Sequence, residues 1–179
     1  MHAPFTLPSD LTTSFGVAMA SDPPPDLLLT PINGLARPLR AWLTTFHLAF
    51  VAVDPYTDES RRILPTAARI LDVFQQADTR VAWVCTGDAA RARGFLGRYA
   101  DDTLTFVDAD RSVVKGFGLE RLPAFVHVAM DATIARSAEG WDPEAWQAVA
   151  DELARMTRWK APVIPQLGGP PPFEGAPAA

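Results

Sequence analysis

The sequence contains few of the residues that carry thiol and metal chemistry. Its 179 residues include one cysteine, Cys85, and three histidines that lie far apart, His2, His47 and His127. A single cysteine cannot form an internal disulfide or a Cys-x-x-Cys redox pair, and isolated histidines lack the spacing of zinc ligands. We therefore predict no structural metal site, no dithiol chemistry and no cofactor.

Positive charge and long apolar runs are also scarce. The chain has 16 Lys and Arg against 21 Asp and Glu, a net charge of −5, which argues against binding to a nucleic-acid backbone. No stretch reaches the roughly 20 apolar residues of a membrane-spanning helix. The N-terminus also lacks the basic start and apolar run of a signal peptide. We expect no nucleic-acid or membrane partner and a cytoplasmic location.

Proline is nearly absent from the middle of the chain. Of 17 prolines, seven lie in residues 1–38 and six in residues 162–179, which leaves four for residues 39–161. Because proline interrupts helices and central strands, this distribution predicts a folded domain at 39–161. A Pro-rich N-terminal arm at 1–38 and a Pro/Gly-rich C-terminal tail at 162–179 are expected to flank that domain.

The middle of the chain alternates between strand and helix patterns. Continuous apolar runs at 48–53 and 81–85 predict buried strands, and a 3.6-residue period over 58–76 predicts an amphipathic helix. The remaining predicted elements are a helix at 88–96, a strand at 104–107, a helix at 112–117, a hairpin of strands at 124–128 and 133–136, and a last helix that starts at Asp142 and Pro143. The order predicts an α/β fold in three layers, with a mixed sheet between helices.

This order of elements resembles the thioredoxin-like superfamily, in particular its TlpA-like branch. The resemblance covers about residues 46–156, and two central prolines support it. Pro65 lies inside the first long helix, and Pro123 ends the segment Gly118-Leu-Glu-Arg-Leu-Pro123, which matches the family's cis-proline segment. The resemblance implies a site where the first central strand ends, next to Pro123.

The catalytic motif of that family is absent. Counting back from Pro65 places the Cys-x-x-Cys motif at Thr57-Asp58-Glu59-Ser60, so hydroxyl residues stand at both cysteine positions. Hydroxyl groups are weak nucleophiles without a base and cannot exchange disulfides. We expect Thr57 or Asp58 to cap the helix, and the alternative is that the four residues form a polar recognition patch.

Two functional interpretations stay open. In the first, a redox-inactive protein binds a polypeptide partner along an edge formed by Pro55, Tyr56, Leu122 and Pro123, since the backbone beside the cis-proline pairs with polypeptide substrates in the family. In the second, the chain is an enzyme, either a peroxidase-like or other oxidoreductase that uses the single thiol of Cys85 or a glutathione-using enzyme. Inert burial of Cys85 is the structural alternative. A homodimer is compatible with either interpretation.

Two tryptophans flank the last helix and are candidates for holding the tail. Trp141 precedes the helix and Trp159 follows it, and proline stacked on an aromatic ring is a recurring recognition contact. We predict that the tail docks through both. His127 is expected to be structural, and Asp108-Ala-Asp110 to form a turn and helix cap rather than a metal pair.

Overall fold

A seven-stranded sheet lies at the centre of the molecule, in a computed structural model that describes residues 20–165 and 167–179. The strands are β1 (Leu28–Pro31), β2 (Arg37–Pro38), β3 (His47–Val53), β4 (Thr79–Cys85), β5 (Leu104–Val107), β6 (Arg121–Leu122), β7 (Ala124–Val128), β8 (Ile134–Glu139) and β9 (Ala176–Pro177). The helices are α1 (Leu39–Trp42), α2 (Asp58–Phe74), α3 (Ala89–Leu96), α4 (Tyr99–Asp102), α5 (Ser112–Gly116) and α6 (Pro143–Thr157).

The order of strands in the main sheet is β2-β1-β5-β4-β3-β7-β8, and β6 pairs separately with β9. Strands β3, β4 and β5 are parallel, whereas β7 is antiparallel to β3 and to β8. Val53 pairs with Cys85, and Ala52 pairs with Ala124. The ends of β3 and β4 and the start of β7 therefore lie together at one end of the sheet.

Helices cover both faces of the sheet because its central strands are apolar on both sides. Along β3, Val51 and Val53 belong to the core under α2, α3 and α6, and Phe50 belongs to the core under α1 and α5. All seven residues of β3 are buried. Successive residues of this apolar run point to opposite faces of the sheet and enter two different cores. The sheet therefore lies between two layers of helices, as the predicted three-layer fold requires.

The two long helices begin at the predicted positions. Thr57 caps α2, and Asp142 caps α6 with Pro143 in its first turn. Helix α2 continues through Pro65 to Phe74. Among the helices of the described residues, none is both long and apolar enough to span a bilayer.

The N-terminal segment differs from the predicted arm. Residues 28–38 form β1 and β2, and β1 extends the main sheet by pairing antiparallel with β5. Pro31 ends β1 and Pro38 lies on the edge strand, where a missing N–H disturbs the ladder little. Buried Leu29 anchors the segment in the core. The part of the predicted arm at 1–19 lies outside the described residues.

The described part of the tail, residues 162–165 and 167–179, runs back over the domain. The side-chain amide of Gln147 in α6 donates to the carbonyl of Pro162 at 2.9 Å and accepts from the N–H of Ile164 at 2.7 Å. Further along, Phe173 forms an antiparallel bridge with Trp141. The tail then reaches β6 through β9, and this pairing brings it to the end of the sheet where the site was expected.

Candidate functional site

The start of α2 holds the two hydroxyl groups that replace cysteines. Thr57 Oγ1 accepts from the N–H of Ser60 at 3.4 Å and donates to the carbonyl of Asp54 at 3.3 Å. Ser60 is fully buried, and its Oγ accepts from the N–H of Asp54 at 2.8 Å. Asp58 and Glu59 occupy the first turn, where negatively charged carboxylates interact favourably with the helix dipole and stabilise the helix. All four residues stabilise the junction of β3 and α2.

An ion pair lies beside this junction. The Asp54 carboxylate is buried, and its Oδ2 is 2.9 Å from Arg111 Nη2, while Oδ1 accepts from the N–H of Tyr56 at 2.9 Å. The other terminal nitrogen of Arg111 donates to the carbonyl of Ala178 in the tail. Arg111 has a left-handed backbone with φ of 60°, unusual for a non-glycine residue. One guanidinium thus links the end of β3 to the tail.

Sequence reasoning missed both members of this ion pair. Asp54 directly follows a buried strand, and a charged residue at the end of a parallel strand is a signal that pointed to this site. Arg111 carries no comparable signal, because 57 residues separate it from its partner. The turn before it was predicted correctly, since the Asp108 carboxylate accepts from the N–H groups of Val113 and Val114.

Part of the edge predicted to bind a partner is occupied by the chain itself. The Leu122–Pro123 peptide bond is cis, and Leu122 is buried. Strand β6 pairs antiparallel with β9, with Leu122 opposite Ala176. The N–H of Ala178 then donates to the carbonyl of Glu120 at 2.8 Å. We call the backbone of residues 120–122 the β6 edge.

Tyr56 faces a separate open surface, and Pro55 next to it is buried. The Tyr56 side chain is exposed, and the Arg91 guanidinium lies 5.3 Å from the centre of its ring. Next to it is a groove of about 430 Å³, which Pro55, Arg61, Arg91 and Phe95 help to line. The predicted edge therefore consists of an open half at Tyr56 and a covered half at Leu122.

The single thiol lies under this site and is inaccessible. Cys85 ends β4 opposite Val53 and has no exposed surface. Burial, with smaller contributions from the carboxylates of Asp54 and Asp108, raises its pKa to about 12, although a hydrogen bond from the Gly87 backbone opposes the rise. The nucleophilic thiolate is therefore scarce at neutral pH.

Cys85 is expected to resist thiol reagents in the native protein. At pH 7.5 a disulfide reagent should modify it only as fast as the protein unfolds, because neither the thiolate nor a path to it is available. Measuring modification across a urea series tests this. Stoichiometric reaction within seconds without urea would contradict it and support a single-thiol enzyme.

The two flanking tryptophans have different contacts. The indole N–H of Trp141 donates to the carbonyl of Pro170 at 2.8 Å, and its backbone pairs with Phe173. The indole N–H of Trp159 instead donates to the carbonyl of Val73 at 2.8 Å, so Trp159 fastens the end of α6 to α2. The hydrogen bond of the Trp159 indole is therefore made between helices, whereas that of Trp141 is made to the tail.

His127 has a partner that the sequence did not reveal. Its Nε2 is 2.9 Å from Nδ1 of His47, and both rings are buried between β3 and β7. Nδ1 of His127 has no hydrogen-bond partner among the described residues. Within residues 20–165 and 167–179, no three His, Cys, Asp or Glu side chains form a metal-binding group.

Several solved structures are similar to this chain. A secreted disulfide oxidoreductase from Mycobacterium tuberculosis is 16% identical, with a TM-score of 0.56 over 73% of this chain and 96% of that one. The bacterioferritin comigratory protein of Xanthomonas campestris is 14% identical, with a TM-score of 0.61 over 75% and 97%. A hypothetical protein from Sinorhizobium meliloti is 14% identical, with a TM-score of 0.64 over 89% and 93%.

These similarities confirm the thioredoxin-like fold that the order of elements predicted. No protein-family model matches the sequence, and no curated protein is significantly similar to it. At such low identity the shared property is the fold, because one fold supports many functions. The chain has this fold with a single cysteine and hydroxyl residues in place of the Cys-x-x-Cys motif.

Proposed function

We propose that the chain is a redox-inactive thioredoxin-fold protein that binds an extended polypeptide partner at the end of its sheet. The observation that carries this proposal is the antiparallel pairing of the β6 edge with an extended segment, residues 176–178. The backbone there forms, within the chain, the main-chain hydrogen bonds by which strand addition binds a partner. No thiol takes part in it.

A half-buried carboxylate supports the β6 edge from the side opposite the paired segment. Glu139 Oε2 accepts from the N–H groups of Glu120 and Arg121 at 2.8 and 2.7 Å. The carbonyl of Glu120 therefore faces the paired segment while its N–H is held on the other side. A strand fixed in this way loses little conformational entropy when it binds a partner, which favours affinity.

The chemistry of the site favours binding over catalysis. The hydroxyl groups of Thr57 and Ser60 are bonded within the junction of β3 and α2, and the Cys85 thiol is buried. Disulfide exchange requires an accessible thiolate and a second thiol, and peroxide reduction requires an accessible thiolate. We therefore propose that the wild-type chain has no activity in an insulin-reduction assay.

Installing both cysteines tests the assignment of the degenerate motif. In Thr57→Cys/Ser60→Cys, the two thiols lie three residues apart at the start of a helix, and we expect a reversible disulfide under mild oxidation. The loss of the Thr57 cap costs about 1 kcal/mol. Mass spectrometry after alkylation measures the disulfide, and Thr57→Cys/Arg61→Cys is the spacing control. If Thr57→Cys/Ser60→Cys stays fully reduced, the site has been misplaced.

Photo-crosslinking tests the binding role. Benzoylphenylalanine at Tyr56, beside the site, should crosslink a carboxymethylated, permanently unfolded protein at saturating concentration. The matched control is Met130, which is also exposed but follows β7 at the opposite end of the sheet. Equal crosslinking at both positions would reject the proposed function.

A further inference from the structure

We infer that tail residues 173–178 are a built-in ligand of the β6 edge, and that they must leave before an outside segment of the same Gly-x-x-small chemistry can bind. This inference rests on the proposed function, because it describes how the same edge is filled and what it selects. The tail contacts divide into backbone contacts that any extended segment can make and two positions that restrict the side chain.

The backbone contacts continue along the whole segment. Phe173 exchanges hydrogen bonds with Trp141 at 2.8 and 2.9 Å, and Ala178 donates to the carbonyl of Glu120 at 2.8 Å. Arg111 holds the carbonyl of Ala178 from the side. Main-chain recognition of this kind provides affinity without specifying a sequence.

Gly175 is the first restricted position. Its φ is 89°, and a Cβ added there would lie 2.8 Å from the carbonyl oxygen of Leu122 and 3.0 Å from Cα of Gly140. Both obstacles are backbone atoms that cannot swing away. A segment that binds in this register must therefore carry glycine at this position.

Ala178 is the second restricted position. Its methyl group has no exposed surface and belongs to the same apolar cluster as Phe117, Leu119 and Leu122. Protein cores are close-packed, so a larger or charged side chain does not fit without rearrangement. Pro177 and Ala179 on either side are exposed and leave the sequence free there.

The weak side-chain contact of Glu174, near the start of the segment, supports a ligand that can leave. Glu174 is largely exposed, and its ion pair with Arg121 at 3.5 Å joins side chains that are 83% and 40% exposed, so it adds little stability. A tethered segment competes at an effective concentration of about millimolar. The wild-type edge is therefore closed to weak ligands in trans.

A full-length variant with a displaced tail tests the inference. Ala178→Glu places a charge in the apolar pocket and should release the segment, whereas Ala179→Glu adds the same charge at an exposed position. The probe is a fluorescent peptide of sequence Phe-Glu-Gly-Ala-Pro-Ala-Ala, followed by anisotropy. We expect Ala178→Glu to bind it at least about tenfold more tightly than wild type or Ala179→Glu. A peptide with valine in place of glycine should lose that affinity.

Each outcome bears on the inference. Hydrogen exchange of the segment around residue 178 measures whether the tail has left. Gly175→Val is a second variant that should release the tail. A tail that stays docked in both variants overturns the inference. Equal peptide binding by wild type and Ala178→Glu also overturns it but leaves the proposed function intact. A released tail with no peptide binding and no crosslinking rejects both. Concentration-dependent dimers that exchange tails would also overturn it in favour of a second copy.

Discussion

Lowering the pH from 7 to 4.5 is expected to reduce the free energy of unfolding by about 2–3 kcal/mol through the buried histidine pair. Burial, and after it the neighbouring His47, lower the pKa of His127 from 6.5 to about 4, against an opposing effect of Glu152. Burial also lowers the pKa of His47, which Asp131 opposes. The unfolded chain therefore binds more protons than the folded one between about pH 6.5 and 4.

The direction of the effect follows from these lowered pKa values. The histidines contribute their full stability above pH 6.5, and that contribution is lost as the pH falls toward the folded pKa. Asp131 and Glu152 have lowered pKa values and lose their contributions in more acidic solution. Burial raises the pKa values of Asp108 and Glu139, which opposes the effect of the histidines as the pH falls, so a variant is needed to isolate the histidines.

His127→Gln is the variant that isolates this effect. Glutamine does not titrate, and its amide offers His47 a hydrogen-bond partner near the position of the lost Nε2. Urea unfolding followed by tryptophan fluorescence should show a flatter pH dependence in the variant, while far-UV circular dichroism at pH 7 verifies its fold. An unchanged pH dependence would show that the pair is not responsible.

The histidine pair also illustrates what the sequence could predict. The apolar run that contains Leu48 predicted β3, and the run that contains Phe125 predicted β7, because both faces of these strands are buried. Their antiparallel register, which sets Ala49 opposite His127, is a tertiary property. The contact between the two histidines joins residues 80 positions apart. Local patterns predicted the two strands, whereas the contact between the histidines depends on how the strands pair.

Short strands were the main omission in the predicted fold. The strands β1, β2, β6 and β9 have two to four residues each, too few for a period to be recognised. Three of them contain proline, which argues against a strand in the sequence alone. Each is instead fixed by a longer neighbour or by the tail, so its stability comes from long-range contacts.

The positions of the strand ends were predicted better than the contacts made there. The ends of β3 and β4 and the start of β7 were expected at one end of the sheet, and the register of Val53 with Cys85 places them there. The tail that covers Leu122 was expected to dock on tryptophans, with no indication of strand pairing at the site. Main-chain hydrogen bonds do not require a particular side chain, so composition could not reveal this pairing.

Replacing Arg111 with methionine is expected to destabilise the protein by about 3 kcal/mol, because it leaves the Asp54 carboxylate buried without its charged partner. The carboxylate is 5% exposed, whereas the arginine side chain is 27% exposed, which places the effect at the lower end for a buried pair. The tail also loses its hydrogen bond to the carbonyl of Ala178. Urea unfolding at pH 7 measures the first effect, and amide exchange at Ala178 the second.

The double variant Asp54→Asn/Arg111→Met separates these two roles. Asparagine still accepts from the N–H of Tyr56 but carries no charge, so the double variant should be more stable than Arg111→Met alone, with a coupling of about 1–2 kcal/mol. Exchange at Ala178 should stay fast in both, since neither has the guanidinium that holds its carbonyl. Additive costs would mean that the ion pair contributes nothing of its own, and slow exchange would mean that β9 stays docked without Arg111. Recovery of stability without recovery of tail protection is the combination expected if one side chain connects a structural carboxylate to a segment that can leave.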